Sequence, residues 1–196
     1  NGAVLWTVLR HYRMTGSHLW LKGWQKDLTR AAQWIQRMRQ KSGNGLMPSS
    51  LSAEHLGTVD QYFWDSFWCL AGLQSLLQIN QDLRREDEQW LVEEVKEFEN
   101  VLQETFDKIQ QRTGTSLIPA TPTRGFDESA IGSICGVYPL QLFAEIPRSF
   151  SETVCEIKKR YTDQRGFLHP FIHSGYNPYL TLQLAHCFLY MGNDQS

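Results

Sequence analysis

The stretch Gly45–Trp68, GLMPSSLSAEHLGTVDQYFWDSFW, decides how the rest of the chain is read. It opens with Gly45-Leu46-Met47-Pro48. Shorter echoes recur as Ser116-Leu117-Ile118-Pro119 and as Gly166-Phe167-Leu168-His169-Pro170. Each echo follows a charged helical stretch and leads into an almost uncharged one. Such a repeat predicts a ring or array of helical hairpins with similar loops gathered on one face. In a ring of that kind the loops carry the chemistry.

Outward from this stretch, the periodicity predicts seven helical segments, at about 3–14, 18–41, 60–79, 84–112, 128–144, 149–162 and 178–191. The second repeats Leu21, Trp24, Leu28, Ala31, Ile35 and Met38 at steps of three or four, with Lys22, Lys26, Arg30, Arg37 and Arg39 on its wet face. The fourth carries the stripe Trp90, Leu91, Val95, Phe98, Leu102, Phe106 and Ile109, with acids opposite. The third has no charge between Asp65 and Asp82 and is apolar all round, which predicts burial. The fifth is uncharged from Ser129 to Ala144, with Pro139 expected to kink or shorten it. The seventh is apolar nearly all round and opens on Pro178. Buried and half-wet segments therefore alternate. The long connections at about 41–59, 113–127 and 163–177 each lead from a wet segment to a buried one. Connections of that length are uncommon unless functional. Strand signals are weak throughout.

The chain has 196 residues, enough for a sizeable core, and reads as a single domain over 1–196. Its net charge of −2 and the lack of a basic stripe argue against a nucleic-acid partner. No apolar run reaches the ~18 residues of a membrane span, and no signal peptide is visible. Cys69, Cys135, Cys155 and Cys187 form no CxxC pair, and the expectation is reduced core thiols in a cytoplasmic protein. Neither a cofactor nor a metal is expected. There is no Gly-rich phosphate loop, no GxSxG elbow and no Asp-rich diphosphate motif. His169 and His173 are four apart, but Pro170 and Gly175 put them in a loop and not on a helix.

Two further stretches carry a family resemblance. Tyr12-Arg13-Met14-Thr15-Gly16, followed by His18-Leu19-Trp20-Leu21, resembles the "aromatic-Arg-x-Thr-Gly-Asp-x-x-x-Leu" hairpin turn of the six-hairpin glycosidases, with Ser17 where Asp is usual. Phe63-Trp64-Asp65 with Phe67-Trp68 resembles the Trp-Asp pair that opens an inner helix in several of those enzymes. The resemblance implies an all-α fold, an (α/α) toroid with inner and outer helices in antiparallel hairpins, as in glucoamylases and trehalases. A closed ring needs more hairpins than this chain supplies, so the expectation is an incomplete toroid. Asn1 opens what reads as an internal helix, which fits a piece of a longer protein. The implied partner is a carbohydrate, and an open ring is expected to self-associate through its apolar flanks.

Glycoside hydrolysis needs one carboxyl group to protonate the leaving oxygen and another to activate water or attack. Asp65, beside Trp64 on a buried aromatic helix, is the leading catalytic candidate. Its other reading is a carboxylate held by loop donors or by an arginine. Glu54 and His55 lie in the longest loop and read either as acid catalyst and substrate ligand or as a loop-stabilising pair. Asp60 reads as a substrate ligand or as the N-cap of the third helix. Asp127 and Glu128 read as site carboxylates or as a cap and dipole partner of the fifth. Arg124 is placed to orient a carboxylate or a sugar hydroxyl. His173, Tyr176 and Asn177 are read as pocket-lining groups, as is Tyr179. Trp20, Trp24, Trp34 and Trp90 are read as packing. Two other functions fit the same features. One is a sugar epimerase, lyase or phosphorylase on the same toroid. The other is a non-catalytic helical-repeat interaction module.

Overall fold

In a computed structural model, residues 1–51, 58–84, 89–170 and 175–192 are described. Among them the chain is mostly helical, with a few small antiparallel strands. The α-helices are α1 (Gly2–Thr15), α2 (His18–Ser42), α3 (Phe63–Asp82), α4 (Gln89–Thr113), α5 (Arg148–Tyr161) and α6 (Pro178–Tyr190). A 3-10 segment, Glu128–Gly136, lies between α4 and α5. No helix among the described residues is long and apolar enough to cross a membrane. The chain divides into two compact units, residues 1–48 with 68–103 and residues 49–67 with 104–196.

In the first unit, α1 and α2 form a tight hairpin. Gly16 takes the left-handed conformation at φ 65°, and its N–H donates to the Tyr12 carbonyl at 2.8 Å. Ser17 then caps α2 by accepting from the Trp20 N–H at 3.3 Å. Gly2 of α1 and Gly72 of α3 meet backbone to backbone. A Cβ on Gly72 would lie 2.7 Å from Gly2 Cα, so neither position has room for a side chain. Trp6 and Trp68 pack edge to face nearby at 5.5 Å.

Two expectations for α2 fail here. Arg39 is not on a wet face. It is 2% exposed and paired with the buried Glu94 of α4. Its Nε donates to the Gly45 carbonyl at 2.7 Å, and its guanidinium lies 3.9 Å from the Phe98 ring centroid. Its Nη2 is buried without a hydrogen-bond partner among the described residues, but the bonds of its other nitrogens and the ring contact hold the guanidinium inside, whereas periodicity alone assigns any arginine to solvent. Trp24 and Trp34 are not packed inside; they are 49% and 38% exposed.

The second unit has an aromatic core of Phe63, Phe67, Phe106, Phe143 and Phe150, with neighbouring ring centroids 4.6–6.2 Å apart. The expected fifth helix is not an α-helix of seventeen or so residues. It stays 3-10 and ends at Gly136, and the chain continues through turns to α5. Pro139 supplies no N–H, and Gly132 and Gly136 favour helix poorly. Gly136 is further constrained, because a Cβ there would meet Phe150 at 2.9 Å. The long connections contain strands where none was expected. β1 (Ser50–Leu51) pairs antiparallel with β2 (Val59–Asp60). β3 (Thr162–Asp163), β4 (Gly166–His169) and β5 (Gly175–Tyr176) form an antiparallel three-stranded sheet in that order. These strands are too short to show a period-2 pattern. Three of the cysteines are buried as expected, but Cys155 is exposed on α5.

Candidate functional site

The second unit brings several predicted site residues into one neighbourhood. Ser50 on β1 is directly opposite Asp60 on β2, and its hydroxyl donates to Asp65 Oδ2, in the first turn of α3. The Phe63 N–H, an orphan donor at the start of α3, is satisfied by the Ala120 carbonyl at 2.9 Å. This bond ties the helix start to the segment that follows the Ser116–Pro119 echo.

Asp60 is not the N-cap of α3. It sits in β2, where Oδ1 accepts from the Gln61 N–H at 2.8 Å. Oδ2 accepts from the hydroxyls of Thr121 at 2.9 Å and Thr123 at 3.3 Å. The helix begins three residues later because the hairpin claims the Asp60 backbone. Asp127 does cap the 3-10 segment, accepting from the Ser129 N–H at 3.0 Å and from its hydroxyl. Its other oxygen is 3.3 Å from Arg124 Nη2. The Arg124 carbonyl accepts in turn from Arg112 at 3.1 Å. Arg124 Nη1 is buried without a hydrogen-bond partner among the described residues.

Tyr62 lies at the centre of this arrangement. It is buried, and its hydroxyl donates to the Thr58 carbonyl at 2.6 Å. Desolvation pushes its phenol above the usual value. Arg124 pulls it down, and the charges of Asp60, Asp65 and Asp127 push it up again. Asp60 and Asp65 lie within three residues of Tyr62, and Asp127 acts on the same phenol from a distant part of the chain. Tyr161, at the end of α5, is also pushed up, first by burial and next by Glu128, with a smaller push from Asp127. Glu128 is half-buried and makes no hydrogen bond or ion pair among the described residues. Trp64 and Asp65 are likewise half-buried.

The arrangement thus combines a carboxylate held by a hydroxyl (Asp65), one carboxylate without a hydrogen bond (Glu128), an arginine and a partly accessible indole. Those groups can bind hydroxyls, stack on an apolar sugar face and exchange protons. No group of three metal-ligating side chains among the described residues is placed to hold a metal.

Of the other expected residues, Tyr176 and Asn177 lie elsewhere. Glu54, His55 and His173 are outside the described residues. The Tyr176 hydroxyl donates to Asp163 at 2.5 Å, and its ring lies under Arg165 at 4.3 Å. Asn177 caps α6, accepting from the Leu180 N–H at 3.1 Å. Both polar tips serve the local turn. Clefts of about 560 Å³ along α2 and about 420 Å³ between α5 and α6 contain none of the predicted site residues. Ser50, Tyr62, Thr121, Thr123 and Tyr161 were missed by the sequence reading. Only the paired threonines flanking Pro122 offered a signal, as a small polar cluster in a long connection.

No family model, curated protein or solved structure matches this chain.

Proposed function

We propose that this chain is part of an (α/α)-toroid carbohydrate-active domain of the six-hairpin glycosidase kind, built for acid/base hydrolysis of a glycosidic bond. The observation that carries the reading is the set of acids held in one neighbourhood, Asp65 by the Ser50 hydroxyl, Asp60 by the Thr121 and Thr123 hydroxyls and Asp127 by Arg124, with Glu128 next in sequence and without a hydrogen bond among the described residues. Structural caps rarely need so many acids in one place, and hydrolysis needs at least two. In this reading Asp65 and Glu128 are the reacting carboxylates and Trp64 stacks on the sugar. Asp60 and Asp127 fix the walls. Arg124 orients a carboxylate or a hydroxyl.

The test is ligand-observed NMR with a panel of disaccharides, alongside hydrolysis assays on the same sugars. The parent chain should show saturation transfer to at least one sugar, and Asp65→Asn should weaken it at least tenfold. Glu128→Gln should leave binding intact and remove any hydrolysis. Sugars that give no transfer, or transfer unaffected by Asp65→Asn, would sink the proposal.

One observation favours the interaction-module reading. α6 carries no charged side chain, yet Tyr179, Leu182, Leu189 and Tyr190 on it are 49–62% exposed. An apolar face of that length usually has a partner. In our proposal a second copy of the chain covers it. Sedimentation velocity would then show a dimer that Leu182→Asp/Leu189→Asp converts to monomer. A parent that stays monomeric at high concentration rules this out.

A further inference from the structure

The α1–α2 hairpin combines three features that its own packing does not use. The first is exposure. Met14 and Leu19 flank the turn and are 86% and 84% exposed, more than any other large apolar side chain described. The second is rigidity. The left-handed Gly16 and the Ser17 cap close the turn, so both side chains are held out on a fixed tip. The third is charge. The chain carries a net −2, yet Arg10, Arg13, Lys22 and Lys26 appear before the first acid, Asp27. Arg13, Lys22 and Lys26 are exposed and make no ion pair among the described residues.

The spacing puts the apolar tip residue of α2 and two of the cations on one surface of that helix. Leu19, Lys22 and Lys26 follow i, i+3, i+7 along the outward face of α2, opposite the buried Leu21 and Leu28. Lys22 and Lys26 therefore lie about 4.5 and 10 Å behind Leu19 along the helix. Trp20 and Trp24 lie off this face, about 100° and 140° around the helix from Leu19, with ring centroids 6.3 Å apart, and His11 packs 4.3 Å from Trp20.

We propose that this tip is a peripheral docking surface for an anionic lipid bilayer. Met14 and Leu19 enter the boundary between headgroups and acyl chains, a depth of about 5–10 Å for interfacial elements. Arg13, Lys22 and Lys26 then fall at the headgroup level and pair with lipid phosphates and carboxylates, their stems along the apolar surface. An acidic protein would satisfy the cations but leave Met14 and Leu19 unexplained, which is why the bilayer is favoured. Such contact requires no spanning helix, and it departs from the expectation of a chain without a membrane partner.

The test uses the full chain with phosphatidylcholine vesicles, with and without phosphatidylserine, at physiological salt. The parent should cosediment with the phosphatidylserine vesicles only. Met14→Ser/Leu19→Ser should lose binding while keeping its far-UV circular dichroism. Lys22→Gln/Lys26→Gln, chosen because both sites are exposed, should weaken partition by about 25-fold, near fivefold per cation. Failure of the parent to cosediment overturns the proposal, as does parent-like binding by Met14→Ser/Leu19→Ser. Capture by immobilised polyglutamate without vesicle binding also overturns it and points to an acidic protein.

Discussion

Glu94→Ala removes one side of the buried pair with Arg39, and the structure sets the size of the effect. Arg39 is 2% exposed and Glu94 4% exposed, so neither charge is shielded by water. In the variant, Arg39 keeps the Gly45 carbonyl at 2.7 Å and the Phe98 face at 3.9 Å. Among the described residues the only other carboxylate near it is Glu97, 3.9 Å from Nη2 and itself 66% exposed. Removing one partner of a buried pair typically costs about 3–5 kcal/mol. The surviving contacts place this case near the lower end, at about 3 kcal/mol. Gln36 also loses its acceptor at 3.0 Å, but it is only half-buried and turns to water at little cost. Urea denaturation should register a midpoint lower by about 1–3 M, given m values of about 1–3 kcal/mol/M. Arg39→Met/Glu94→Leu, which replaces both charges, should stay within about 1 kcal/mol of the parent. Added salt should hardly change the Glu94→Ala loss, because buried pairs are poorly screened. A cost under about 1 kcal/mol for Glu94→Ala, or a double variant as weak as the single, would mean that the pair is not buried as described.

Three further outcomes follow from other sites. Native chain treated with a thiol reagent should show one fast cysteine, Cys155, since the other three are buried and burial pushes Cys187 up to about 12; a second fast thiol would contradict this. Tyr62 has a folded pKa above its ordinary 10.0, so its contribution to stability is full below that pH and is lost as pH rises through the folded value. Tyr62→Phe should flatten that alkaline loss in pH-dependent urea melts, and an unchanged profile would argue against a buried phenol. Gly72→Ala should destabilise by about 1–3 kcal/mol, because its methyl would press on the Gly2 backbone; a neutral result by thermal melting would mean the helices can separate freely there.

Helices with a one-sided apolar stripe were legible from periodicity, and α2 and α4 fall within a few residues of the expected bounds. The burial of α3 was legible from its missing charges. What failed depended on partners distant in sequence. Arg39 looked like a surface residue until Glu94, fifty-five positions away, closed on it. Asp60 looked like a cap until Thr121 and Thr123 claimed its carboxylate. The 128–144 segment has a helical pattern, but Gly132, Gly136 and Pro139 weaken the backbone preference that would have made it one. Of the candidate site, the acids were recognisable as rare charges beside apolar helices. Tyr62 and Tyr161 were not, because nothing in an aromatic's sequence position reveals which carboxylates surround it.

The proposed sugar site is the space beside Trp64 and Asp65, and a crystal of the chain soaked with a disaccharide probes it. A sugar ring should stack on the Trp64 indole, with a hydroxyl or the glycosidic oxygen within hydrogen-bond distance of Asp65. Full-occupancy sugar elsewhere with none at Trp64, or a site closed by the surrounding chain so that no soaked sugar enters, would contradict it.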